Sequence, residues 1–161
     1  MLVRVALTAG LLCLVAGPAL AKEAKVPGKL LGKVFFTAEK PKDVDVDSLV
    51  RQFEKGGVKV ELKRGKNKTW QATAVAFFKK ESVQGPITIW IYDKADKQAI
   101  KAKEPTHEFS VESQPKKVFV HDLDFDPDQG YNKDHTYLVH IGQIIQKKEK
   151  IYASGEITLK K

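Results

Sequence analysis

The stretch His121–Gly130 reads HDLDFDPDQG and places aspartates at every second position: Asp122, Asp124, Asp126 and Asp128. Carboxylates at that spacing invite two chemistries, calcium ligation and acid–base catalysis. An EF-hand loop needs glycine at its sixth position and glutamate at its twelfth. Counted from Asp122, those positions hold Pro127 and Lys133; counted from Asp124, they hold Gln129 and His135. Neither register ligates. A looser calcium site on the following loop would draw on Asp126, Asp128 and Asp134, with Asn132 between them. The competing reading is structural, and the pattern favours it. In a strand, Leu123 and Phe125 share one face while Asp122, Asp124 and Asp126 share the other. Pro127 then stops the strand and Asp128-Gln129-Gly130 turns it.

The four histidines, His107, His121, His135 and His140, bring no ligand pair together on spacing alone. His135 and His140 are five apart, so a single strand sends them to opposite faces. A zinc site needs three or four converging ligands. No G-x-S-x-G, H-E-x-x-H, P-loop or G-x-G-x-x-G occurs. A carboxylate pair of the glycosidase kind stays open, since nothing favours one pair over another. The expectation is a chain that is not an enzyme and uses no cofactor.

Residues 1–21, MLVRVALTAGLLCLVAGPALA, have the plan of a secretory signal. Arg4 precedes an apolar run from Val5 to Ala16, and Ala19 and Ala21 frame a small-residue cleavage site before Lys22. The run is too short to span a bilayer, and no later segment approaches the required length. Cys13, the one cysteine, goes with it, and Leu12 before it does not suit lipidation. The location expected is a bacterial periplasm, the cell surface or the exterior. Residues 22–29 read as a flexible lead and residues 30–161 as one domain, large enough to bury a core without disulfides. Asn67-Lys68-Thr69 forms a glycosylation triplet, which matters only in a eukaryotic secretory pathway.

Such a domain needs elements, and the apolar period along the chain is mostly two. ITIWIYD (87–93) sets Ile87, Ile89 and Ile91 against Thr88, Trp90 and Tyr92. TWQATAVAFF (69–78) is apolar on nearly both faces, as a doubly covered strand is. The pattern predicts strands near 30–37, 58–64, 69–79, 86–93, 97–103, 107–112, 117–125, 135–145 and 150–160. One segment breaks it. Val46, Leu49, Val50 and Phe53 fall at helical spacing, predicting a short helix near 48–55, with Asp47 as N-cap and Gly56-Gly57 as its stop.

Many short strands with little helix predict an all-β fold, a two-sheet antiparallel sandwich of about seven to nine strands, with a closed barrel as the alternative. DHTYLVHIG (134–142), with Leu123 and Phe125 ahead of it and Trp90 on a central strand, resembles the corner region of immunoglobulin-like and fibronectin type III-like sandwiches. The resemblance implies a structural role for Tyr137, ring in the core and hydroxyl bonded to backbone upstream. The turn is longer than usual in those folds and their cysteine pair is missing. A likeness of fold carries no function.

Binding chemistry remains. The formal net charge is +8, and lysine supplies most of the basic groups. Outside the cytoplasm a basic surface meets an anionic envelope polymer, a lipid surface or an acidic protein rather than nucleic acid. If every predicted strand crosses the domain, the turns at 64–68, 93–97, 112–117 and 146–150 share one end. Arg64, Lys66, Lys68, Lys116, Lys117, Lys147, Lys148 and Lys150 would then form one basic tip. The loop at 122–135 would form an acidic tip opposite. The expectation is a non-catalytic secreted binding or adaptor domain that uses the basic tip. The alternatives are a carbohydrate-binding module stacking sugars on Trp90, Tyr92 and Tyr131, and a structural subunit of an envelope assembly paired through an edge strand.

Overall fold

A computed structural model describes residues 25–55, 61–82, 84–113 and 117–161. The expected secretory segment 1–21, the Gly56-Gly57 stop and Lys116 lie outside the described residues.

The fold is mostly β. Among the described residues eight strands run in the order β1 (Lys33–Thr37), β2 (Glu61–Lys63), β3 (Trp70–Phe77), β4 (Ile87–Asp93), β5 (His107–Val111), β6 (Val118–Phe125), β7 (Thr136–Ile145) and β8 (Lys148–Lys160). Backbone hydrogen bonds join them into a single curled, open sheet of order β5-β4-β7-β8-β1-β3-β6, with β2 beside β8. The pairing is antiparallel except at β8, which runs parallel to β1 and β2. That parallel junction departs from the all-antiparallel expectation. The curl brings the two ends of the path together, so that the rings of Phe109 on β5 and His121 on β6 lie 6.1 Å apart.

The inner face of the curl carries the main core. Ile87, Ile89 and Ile91 of β4, Val139 and Ile141 of β7, and Phe119, Leu123 and Phe125 of β6 meet there. On β3 the inward row is Trp70, Ala72, Ala74 and Ala76, and its register partners on β6 are Phe125, Leu123, His121 and Phe119. Small residues on one strand thus leave room for large ones on the next, as dense packing requires.

Helix α1 (Val46–Glu54) covers the outer face. Leu49, Val50 and Phe53 form a second core with Val75 and Phe77 of β3, and the Phe35 and Phe53 rings sit 5.0 Å apart. This explains the two apolar faces of β3, one turned to each core. The cap is Asp45, two residues before the expected Asp47, because the Asp45 carboxylate accepts the Ser48 N–H at 3.0 Å. The segment expected to be a loose lead is anchored from Val26 onward. Val26 and Leu30 are buried in the same outer core.

The strand expected at 97–103 is instead helix α2 (Lys97–Ala102). Asp96 accepts the N–H groups of Gln98 and Ala99, and Lys103 closes the helix in the left-handed region at φ 58°. Ala, Lys and Gln favour helix intrinsically, and Ile100 alone is β-branched. One strand fewer reverses the end at which every later loop emerges.

Two glycines sit where β8 meets its neighbours. A Cβ on Gly155 would lie 2.9 Å from Val34 Cβ and nearer still to the Val34 carbonyl oxygen. A Cβ on Gly142 would press on the Lys150 carbonyl, beside the bulge at which the β7–β8 register shifts.

Candidate functional site

Strand directions assign the loops to ends. β2 and β6 run parallel in sense to β1, whereas β3 and β7 run against it. The 64–69 turn, the α2 segment and the 126–135 loop therefore share one end. The 78–86 loop, the 112–117 loop and the β7–β8 turn share the other.

This overturns the single basic tip. Arg64, Lys66 and Lys68 stand at the same end as the aspartate loop, away from Lys117, Lys147, Lys148 and Lys150. The contacts agree. The Arg64 guanidinium lies 5.2 Å over the Trp70 ring, Trp70 Nε1 donates to the Lys160 carbonyl at 2.6 Å, and Lys160 Nζ is 3.6 Å from Asp134. That end is mixed in charge and internally paired. Lys94 meets Glu156 at 2.8 Å, and His135 Nδ1 meets Asp93 at 2.6 Å.

The opposite end is lysine-rich. Lys79, Lys80, Lys117, Lys147, Lys148 and Lys150 gather there against Glu81, Glu112 and Glu149. Its frame is hydrogen-bonded. Phe78 N–H donates to the Lys117 carbonyl at 2.8 Å. The Tyr152 hydroxyl donates to Gln143 Oε1 at 2.7 Å, and Gln143 Nε2 donates to the Gly85 carbonyl at 3.2 Å. Lys150 Nζ lies 5.4 Å over the Tyr152 ring, a cation–π contact. Lys117 pairs with Glu81 at 3.8 Å. A cleft of about 230 Å³ opens beside this pair, with Val26, Leu31 and Phe78 below and Lys25, Lys79 and Lys80 at its rim. Sequence reasoning missed Lys79 and Lys80, although the doublet directly follows a buried strand. It also missed Ile144 and Ile151, which are 52 % and 46 % exposed on the β7–β8 hairpin.

The alternate aspartates resolve as a strand edge. Leu123 and Phe125 are buried while Asp122 and Asp124 face out. Asp122 accepts from the Thr73 hydroxyl at 2.7 Å and from Lys40 at 3.0 Å. Those bonds, Thr73 first, hold its carboxyl below the ordinary value. Asp124 accepts from Gln71 at 2.9 Å. On the loop, Asp126 accepts the Asp128 N–H and starts a short 3-10 turn, Pro127–Gln129. Asp134 faces Lys133 and Lys160. Among the described residues, no three His, Cys, Asp or Glu side chains group to hold a metal ion.

The sugar-stacking aromatics are not available as a platform. Trp90, Tyr92 and Tyr131 are 1 %, 4 % and 4 % exposed. Tyr92 meets the His140 ring edge-on at 5.6 Å. Tyr131 stacks on His107 at 4.3 Å and packs against Phe125 and Tyr137, and burial raises its hydroxyl pKa. Sequence made Tyr131 a stacking candidate on a loop, but its ring belongs to the main core.

Tyr137 is fully buried, and its hydroxyl accepts the Asn132 N–H at 2.7 Å. Tyr137→Phe strips that partly buried N–H of its acceptor. The expected cost is about 1–3 kcal/mol, read as a lower urea midpoint with an unchanged m-value. An unchanged midpoint would show that the bond carries no stability.

Burial pushes the pKa of His107, His121 and His140 below the ordinary imidazole value. His140 Nδ1 and the Ser154 hydroxyl are 2.7 Å apart across β7 and β8. Among the described residues, no helix is long and apolar enough to cross a membrane. No family model matches the chain, and no curated protein or solved structure is significantly similar to it.

Proposed function

We propose that the chain is a secreted, non-catalytic binding or adaptor domain, released at a cell envelope, that engages an anionic macromolecular partner through one lysine-rich end. The observation that carries this reading is the gathering of Lys79, Lys80, Lys147, Lys148 and Lys150 at the end away from the aspartate loop. Those five side chains are exposed, and their field steers an anionic surface to one face of the molecule. The same reading treats the curl as two layers of an immunoglobulin-like sandwich. β5-β4-β7 then faces β1-β3-β6 across the shared inner core.

The test uses a polyglutamate resin at low and high salt. Lys147→Gln/Lys148→Gln/Lys150→Gln is expected to elute at clearly lower salt than the parent chain, because exposed charges are screened within about 10 Å at 0.1 M salt. Arg64→Gln/Lys66→Gln/Lys68→Gln removes equal charge from the other end and is expected to cost much less. Equal losses from the two triple variants would reduce the effect to net charge and defeat the reading.

A further inference from the structure

We infer that the anionic partner is a lipid bilayer surface and that the β7–β8 hairpin is the element that enters it. The inference rests on the lysine-rich end proposed above and names its target. Three large hydrophobic side chains stand out among the described residues as exposed, and two of them, Ile144 and Ile151, lie on this hairpin. Register places them on one face, since Gly142 pairs with Ile151 and Ile144 pairs with Glu149. They are diagonal neighbours, close enough to form one apolar patch. Gly142 between them adds no side chain and tolerates none, because a Cβ there meets the Lys150 carbonyl.

Lysines lie at the tip of the hairpin and on the face behind the patch. Lys147 occupies the turn, and Lys148 and Lys150 project from the opposite face of the same hairpin. Lysine stems lie along apolar surface while their ammonium groups reach the headgroup level. The β7–β8 register shifts between Ile141 and Gly142, and a bulge of this kind sharpens the local twist of a ribbon. The cleft at this end combines the same residue types, with Val26, Leu31 and Phe78 lining it beside Lys79 and Lys80. An acidic protein would be met by charge alone and gives no reason for two bare isoleucines. A bilayer uses both parts. One weak apolar anchor binds a membrane only marginally, and a polybasic patch supplies the second signal that makes binding stable. Glu149 faces the same side as the isoleucines and opposes the contact.

The experiment is vesicle flotation of the secreted chain, every variant carrying the same N-terminus as verified by mass. Vesicles are phosphatidylglycerol mixed with phosphatidylcholine, or phosphatidylcholine alone. The parent chain is expected to float with the anionic vesicles and not with the neutral ones. Ile144→Ser/Ile151→Ser is expected to weaken partitioning by at least about tenfold, while retention on polyglutamate resin is unchanged. Lys147→Gln/Lys148→Gln/Lys150→Gln is expected to weaken it about a hundredfold, and Glu149→Gln to tighten it. If the isoleucine variant floats like the parent, hairpin insertion is overturned while the lysine reading stands. A parent chain retained by the resin but not by anionic vesicles also overturns the lipid inference alone. Failure to bind either anionic surface overturns both.

Discussion

Gly155→Ala is expected to lower the stability of the fold by about 3 kcal/mol, the largest effect of any single methyl addition in the described residues away from the β7–β8 bulge. Strand β8 passes β1 at this point, and the two are joined by a short parallel register at Lys33 and Ser154. The Ser154 N–H donates to the Gly32 carbonyl at 3.0 Å. An added Cβ meets the Val34 carbonyl and Val34 Cβ, and Val34 is buried on a strand held between β8 and β3. Relief therefore requires β8 to move off β1, which breaks the Ser154 bond and opens the inner core. Urea unfolding measures the loss. Gly28→Ala is the control, because nothing lies within 4 Å of a Cβ at Gly28, and it is expected to stay within about 0.5 kcal/mol of the parent. If Gly155→Ala unfolds at the parent midpoint, the β8–β1 contact is not a constraint on the fold.

Acidification is expected to produce the second large effect, a fall in thermal midpoint between pH 7.5 and pH 5. Burial lowers the pKa of His107, His121 and His140 in the folded chain from the ordinary 6.5. The unfolded chain therefore binds protons first as the pH drops, and stability falls with it. The contribution is intact above about 6.5 and is lost as the pH descends through the folded values. Neighbours modify the shifts without reversing them. Asp122 raises and Lys40 lowers the His121 value, Glu149 raises that of His140, and a hydrogen bond to the Gln129 backbone raises that of His107. Asp122 itself titrates below the usual carboxylate value of 3.8, so its contribution persists throughout this window. His121 faces inward between Phe109 and Phe119. His121→Phe is expected to flatten the dependence in part. A midpoint unmoved between pH 7.5 and pH 5 would refute the account.

Local features of the fold were legible in the sequence, whereas their assembly was not. Alternation revealed β4 and β6, and the two-faced apolarity of β3 reflected its place between two cores. The helical spacing of Leu49, Val50 and Phe53 located α1 within two residues, although two aspartates competed for its cap and Ser48 decided for Asp45. The residues at 97–103 misled because Ile100 and the lysines alternate as an exposed strand does. Asp96 and the alanines were the signal for helix, and they were outweighed. That one element moved the acidic loop to the other end of the molecule, because loop placement is a parity and a single error inverts all that follows. Tyr131 could not be placed from sequence, since its burial depends on which segment folds back over it, whereas the apolar faces of β4 favoured Trp90 as core, where it lies. The parallel β8–β1 junction was likewise hidden. It pairs residues about 120 positions apart, and no local pattern encodes such a pairing.

The position of β8 also bears on when the protein can fold. Every other strand precedes it along the chain, yet it lies in the middle of the sheet, between β7 and β1. The β4–β5 and β1–β3–β6 pairings can form early, but each leaves the inner face of its strands open. Neither half can enclose Phe36, Ile89 or Leu123 until β8 arrives to join them. A chain still on the ribosome is therefore held short of its native core. Long-range strand pairing is slow in any case. The same delay leaves apolar strands uncovered for the whole of that interval, and uncovered strands are what aggregation acts on.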